Sequence, residues 1–198
     1  RVTATLALLL VIAMVVVSLA RRPRLRREGA LSLALLGLAL MLALLGVITP
    51  GSRLPAVAIG NLLGGLVTFA IAARLVSPPM PSDRVLAPVA IGVTLLLSAQ
   101  IISGGLVSAA NAGLACTDIR QCIEQAGAGG WDWAALNPWR EPAFAVGTPH
   151  VEGALAQLVH RLASLAVAPA VGWLGVLAVR QGRRREGLAV LLLLACVV

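Results

Sequence analysis

Apolar runs recur along the chain at about 2–20, 30–49, 56–76, 86–110 and 150–179, and a sixth begins at Leu188. Each full run is close to the roughly 20 residues that carry a helix across about 30 Å of hydrocarbon. The runs are continuous rather than alternating, and backbone within lipid must satisfy its own hydrogen bonds, so the pattern predicts helices and not membrane strands. The expected fold class is all-α, a polytopic transmembrane helical bundle.

The 198 residues are 59% hydrophobic and 12% charged, with a mean hydropathy of +0.95. No water-soluble domain of this size carries such a balance on its surface, so the lipid bilayer is the first expected partner. A net charge of +8 raises nucleic acid as a ligand, but the placement of the charge argues otherwise and no nucleic acid partner is expected. Every basic side chain is arginine. Arg21, Arg22, Arg24, Arg26 and Arg27 fill one connection, Arg74 and Arg84 flank another, and Arg180, Arg183, Arg184 and Arg185 fill a third. Threading the spans back and forth sets all of these on one side and leaves Arg53, Arg120 and Arg140 opposite, which predicts that the arginine-rich side is cytoplasmic. Residues 2–20 read as a full span rather than a cleavable signal peptide. The arginine-only basic set, with abundant Ala, Leu and Gly, suits a GC-rich bacterial genome and a multi-pass location in the bacterial inner (cell) membrane.

Arg1 leads through an apolar helix to "RREG" at 26–29 and into a second apolar helix, and Arg161 leads in the same way to "RREG" at 184–187. This pattern marks an internal duplication. On that register the residue before Arg1 corresponds to His160, and the chain is expected to be a fragment truncated at both ends. The division that follows is 1–76 as three helices of an N-terminal half, 77–85 as a cytoplasmic linker, and 86–198 as a C-terminal half. That second half holds two full spans, a long extracytoplasmic segment at 111–149 and the start of a third span.

His160 lies about ten residues into the fifth run, inside the membrane, where an ionisable side chain is costly and rare. On a helix, Gly153, Gln157, His160 and Ser164 share one small, polar face that should point into the bundle. Two readings of His160 stand: a neutral imidazole hydrogen-bonded to a neighbouring helix, or one that ligates haem iron, with Gly153 leaving room for the macrocycle. Arg161, about 100° round the helix, either meets a haem propionate or snorkels toward the outer interface. Cys116 and Cys122 fall in the extracytoplasmic segment, where oxidising conditions favour a disulfide over a metal site, with His150 the nearest histidine. Cys196 reads as a small buried residue, Trp131, Trp133 and Trp139 as headgroup-interface markers, and the stripe Asn61, Gly64, Gly65 and Thr68 as helix packing.

"GGLVSAANAGLACTDIRQC" followed by "QLVHRLAS" resembles the haem A synthase family (the CtaA/Cox15 type). In that family a helix end leads to Leu-Ala-Cys, to a second cysteine after five residues, and to a Gln-x-x-His-Arg helix. "LGVITPGSRLPAVAIGNLLGGL" at 45–66 resembles the segment after the family's first His-Arg helix, and the likeness covers essentially the whole chain from Arg1. It implies two four-helix halves, each offering a pair of histidines to a haem, and an enzyme that oxidises a methyl group of haem O to the formyl group of haem A for cytochrome c oxidase assembly. It implies haem b as cofactor and haem O as substrate. Haem O synthase, oxidase assembly factors and a second copy of the chain are the candidate protein partners. Carried onto this chain, the resemblance makes His160 an axial iron ligand, sets Arg161 and Gln157 in the cofactor-binding group, and pairs Cys116 with Cys122. The partner histidine would follow Val198, and the family's Glu-x-x-His motif, whose acid is the catalytic candidate, would precede Arg1. The sequence departs from the family at Asn61, close to where many members carry a second histidine. A non-catalytic membrane haem-binding or oxidase-assembly protein is the alternative reading.

Overall fold

The computed structural model describes residues 2–21, 26–77, 83–141 and 153–197, and among these it holds helices and turns and no strand. The order is α1 (Val2–Ala20), α2 (Arg26–Ile48), a 3-10 turn (Thr49–Gly51), α3 (Pro55–Val76), α4 (Leu86–Ala109), a 3-10 turn (Ala112–Leu114), α5 (Ile119–Ala128), a 3-10 turn (Trp133–Leu136), α6 (Ala154–Arg180) and α7 (Arg184–Val197). Among the described residues α2 with its 3-10 extension, α3, α4 and α6 are long and apolar enough to cross a membrane. The chain is a polytopic helical membrane protein.

Two helices begin in the polar loops rather than at the apolar runs. α2 starts at Arg26 and α7 at Arg184, because arginine and glutamate are good helix formers and the first-turn Glu28 and Glu186 suit the positive end of the helix dipole. Both copies of "RREG" therefore do the same job. Each opens the second helix of a hairpin, α1–α2 in one case and α6–α7 in the other.

The chain forms two compact units, one of Arg1–Ser52 with Gly60–Met80 and the other of Arg53–Ile59 with Pro81–Val198. In the first, Ser32 and Leu35 of α2 are buried, as are Val15 and Ser18 of α1. Gly64 of α3 fits against α2, since a Cβ there would come within 2.6 Å of Leu42 Cδ2. Gly65, expected to share that packing role, has nothing within 4 Å of its own Cβ position, because it lies a helical step away from the contact. At the arginine-rich end, Arg27 Nη2 donates to the Arg74 carbonyl at 3.2 Å and occupies an acceptor that the last turn of α3 leaves open.

In the second unit the opening turn of α3 is anchored by Ala56 N–H, which donates to the Pro138 carbonyl at 2.8 Å. α4 begins under Asp83, whose Oδ1 accepts from Leu86 N and Val85 N at 2.9 and 2.8 Å. Those two N–H bonds hold the carboxyl below the usual carboxylate range, with Arg183 adding to them and burial opposing. α6 ends in a left-handed Gly182 (φ 82°). Gly182 N donates to Val179 O and Arg183 N to Ala178 O, the paired bonds of a Schellman stop that reverses the chain into α7.

The segment expected as a long loop at 111–149 is, over 111–141, a folded cap. Its helix α5 starts at Asp118, whose Oδ1 accepts from Gln121 N at 2.8 Å, while Gln121 Oε1 accepts from Thr117 N and its hydroxyl. This reciprocal capping is closed at the other end by a second Schellman pair, Gly130 N to Gly127 O and Trp131 N to Ala126 O. The cap's buried face, with Ala112, Ala115 and Ala126, packs on Val107 of α4 and on Ala154, Leu155 and Ala156 of α6. Trp131, Trp133 and Trp139 are exposed. Arg120 and Arg140 pair with Glu124 and Asp132 at 3.1 and 2.8 Å, so both arginines of the cap are matched by a carboxylate.

Candidate functional site

His160 sits in the second turn of α6 and faces α4. Its Nδ1 lies 3.0 Å from Ser103 Oγ, and its backbone carbonyl accepts from Gln100 Nε2 at 3.2 Å. The ring is seated over Gly104, where a Cβ would come within 2.9 Å of Cε1. Ser103, Gly104 and Gln100 are the functional neighbours that sequence reasoning missed. The signal was present, since positions 100, 103 and 104 form a polar and small face at helical spacing within the fourth run.

The polar stripe on α6 does face protein, with each member committed differently. Gln157, 7% exposed, donates from Nε2 to the Gly113 carbonyl at 3.2 Å. Ser164 Oγ turns back to the Arg161 carbonyl at 2.6 Å. Gly153 was expected to leave room for a macrocycle, and the structure corrects this. A Cβ there would meet Ala112 Cβ and lie 3.1 Å from Ala112 Cα, so the missing side chain admits the backbone of the cap.

Arg161 donates from Nη1 to the Thr117 carbonyl at 2.9 Å and from Nη2 to the Cys116 carbonyl at 3.1 Å. The stem has thus reached outward along the helix, and two of five guanidinium donors are used on the cap. Cys116 and Cys122 are disulfide-bonded with Cα atoms 5.1 Å apart, and both are buried against Leu158 of α6. His150 lies outside the described residues. Cys196, expected to be buried, is exposed on α7, because Leu191 and Leu194 take the face toward α6 at Gly175 and Gly172.

Because the bridge closes a short loop, replacing both cysteines with serine is expected to cost about 2 kcal/mol of stability, read from thermal unfolding in detergent. Peptides carrying Cys116 and Cys122 should take up an alkylating reagent only after reduction. Uptake before reduction in membranes kept oxidised would count against the bridge.

The first unit holds a cavity of about 820 Å³ between α1, α2 and α3, mostly apolar, with Thr5, Asn61 and Thr68 as its polar lining. Thr68 Oγ1 donates to the Gly64 carbonyl. Asn61, read from the sequence as a packing residue, is exposed and faces this cavity.

No group of three or more His, Cys, Asp or Glu side chains that could hold a metal ion occurs among the described residues. The donor set at His160 is a single imidazole on a membrane-spanning helix, Nδ1 engaged by a hydroxyl and Nε2 without a hydrogen bond among the described residues. A bare ion needs three or four protein ligands, whereas the iron of a macrocycle needs only one or two. A single imidazole donor therefore suits the iron of a haem and not a bare ion.

Fold and site together define a polytopic helical membrane protein with an intramembrane imidazole beside a disulfide-tied extramembrane cap. The whole chain, residues 1–198, matches the COX15-CtaA family model of cytochrome oxidase assembly proteins, and the chain belongs to that family. No curated protein and no solved structure matches it.

Proposed function

We propose that, within cytochrome oxidase assembly, this protein is a haem A synthase of the bacterial inner membrane, an oxidoreductase converting a methyl group of haem O to a formyl group. The observation that carries the proposal is His160, an intramembrane imidazole with Nδ1 engaged and Nε2 without a hydrogen bond among the described residues, in a chain matched by this family throughout. Haem b, when bound, would supply the redox-active iron. The protein's own part would be to bind and orient: His160 would hold the iron, and Arg161 would offer a propionate its three remaining N–H donors while it ties down the cap. Gln157 contributes by holding the cap turn at Gly113 against α6. The cavity of the first unit lies within the roughly 300–1,000 Å³ of small-molecule sites, and its apolar lining suits haem O as substrate. Haem O synthase, as supplier of that substrate, is the proposed partner beside oxidase assembly factors and a second copy of the chain.

The test is co-expression with haem O synthase in a host that makes no haem A, followed by chromatography of extracted haems. A haem A peak that requires this protein is expected. Unchanged haem O, with haem still bound to the purified protein, would replace the enzyme reading with that of a non-catalytic haem-binding assembly protein.

A further inference from the structure

We infer that Ser103 is the positioning residue of His160, fixing the imidazole as the Nδ1–H tautomer and so directing the Nε2 lone pair to a ligand. The inference rests on the reading of His160 as an iron ligand. Ser103 is 9% exposed and its hydroxyl carries one proton, with two partners in reach: the Gln100 carbonyl at 2.8 Å and His160 Nδ1 at 3.0 Å. A carbonyl can only accept, so the bond to Gln100 consumes the hydroxyl proton. Both lengths agree with that assignment, 2.8 Å being usual for O–H···O and 3.0 Å for N–H···O. The Oγ lone pairs then face Nδ1, and Nδ1 must carry hydrogen. The opposite tautomer would set two lone pairs against each other.

Gln100 closes the arrangement. Its carbonyl takes the Ser103 proton and its amide Nε2 donates to the His160 carbonyl, so one residue of α4 steadies both the orienting hydroxyl and the backbone that bears the ring. Gly104 sets the depth, because a side chain there would push the ring away. A second-shell hydrogen bond of this kind orients a ligand histidine and raises its basicity.

The test uses the protein with 15N-labelled histidine, observed before and after haem loading. In the haem-free protein the signal absent from His160→Ala should report Nδ1–H. Ser103→Ala should mix the tautomers and weaken haem binding by about 10- to 100-fold, and Ser103→Thr, which keeps the hydroxyl, should restore both. Wild-type tautomer and haem affinity in Ser103→Ala would overturn the inference while leaving the ligand reading intact, provided His160→Ala still loses haem. Haem fully retained in His160→Ala would remove the ligand reading and this inference together. Should Ser103→Ala not accumulate as folded protein, the unsubstituted protein decides alone, an Nε2–H signal for His160 being enough to overturn the proposal.

Discussion

Replacing His160 with alanine is expected to abolish the low-spin spectrum that the proposed ligation of haem iron would give, leaving either no haem there or a high-spin species. The ring is only half-buried and touches α4 through one hydroxyl and one glycine, so its removal should spare the fold while deleting the imidazole that the proposal assigns to iron. On the proposed reading the variant would lack a nitrogen ligand, which would weaken the ligand field of the iron and remove an anchor of the macrocycle. Optical and electron paramagnetic resonance spectra of the purified variant read both effects. Free imidazole added to the variant should restore part of the low-spin signal, as expected when a donor is missing and not when a helix has misfolded. Asn61→Ala is the control and should leave this signal intact. An unchanged spectrum in His160→Ala would return the histidine to a hydrogen-bonded packing role.

Gly187→Ala is expected to destabilise the α6–α7 hairpin by about 1–3 kcal/mol or more, although the change adds one methyl group. A Cβ at Gly187 would lie 2.6 Å from the Gly175 carbonyl oxygen and 2.8 Å from Val179 N. Both are backbone atoms, and no rotamer change relieves the clash, so the helices must separate. Small residues permit such close approach between membrane helices. The matching glycine of the first copy, Gly29, would meet only Ser18 Oγ at 3.5 Å, an ordinary contact. Gly29→Ala should therefore melt near the unsubstituted protein, and Gly172→Ala, facing Leu194 Cδ2 at 3.5 Å, should do likewise. Equal loss of stability in Gly29→Ala and Gly187→Ala would show that the crowding at Gly187 does not set the difference.

That pair of glycines also shows how far the sequence could be read. "RREG" announced two equivalent hairpins because a charged first turn before an apolar run is a local signal, and the spans themselves were legible from hydropathy alone. The closeness of each helix crossing was not legible, since it depends on which side chain the partner helix presents. His160 stood out because an ionisable residue in an apolar run is rare, whereas Ser103 and Gly104 did not, because serine and glycine are common in membrane helices and acquire a role only once α6 lies against α4. The cap is an intermediate case. Asp118 and Gln121 are a readable helix start, but hydropathy averaging gave the segment the look of a loop. The reading of Gly153 failed for a reason of the same kind: a missing side chain says that something comes close, and only the fold says that it is Ala112.

Five consecutive residues of α6, Ala154 to Leu158, are buried on every side, which is unusual at the end of a membrane helix. The cap and α4 enclose this turn and a half in protein, while farther along α6 leucines such as Leu162 and Leu165 are exposed for lipid. One helix is thus solvated by two media. Its capped end is expected to stay protected from hydrogen–deuterium exchange on transfer from bilayer to detergent, because protein encloses it, whereas the rest is expected to depend on the surrounding apolar phase. The His-Arg pair falls just past that boundary, so His160 and Arg161 hang from an anchor whose packing is protein and not lipid.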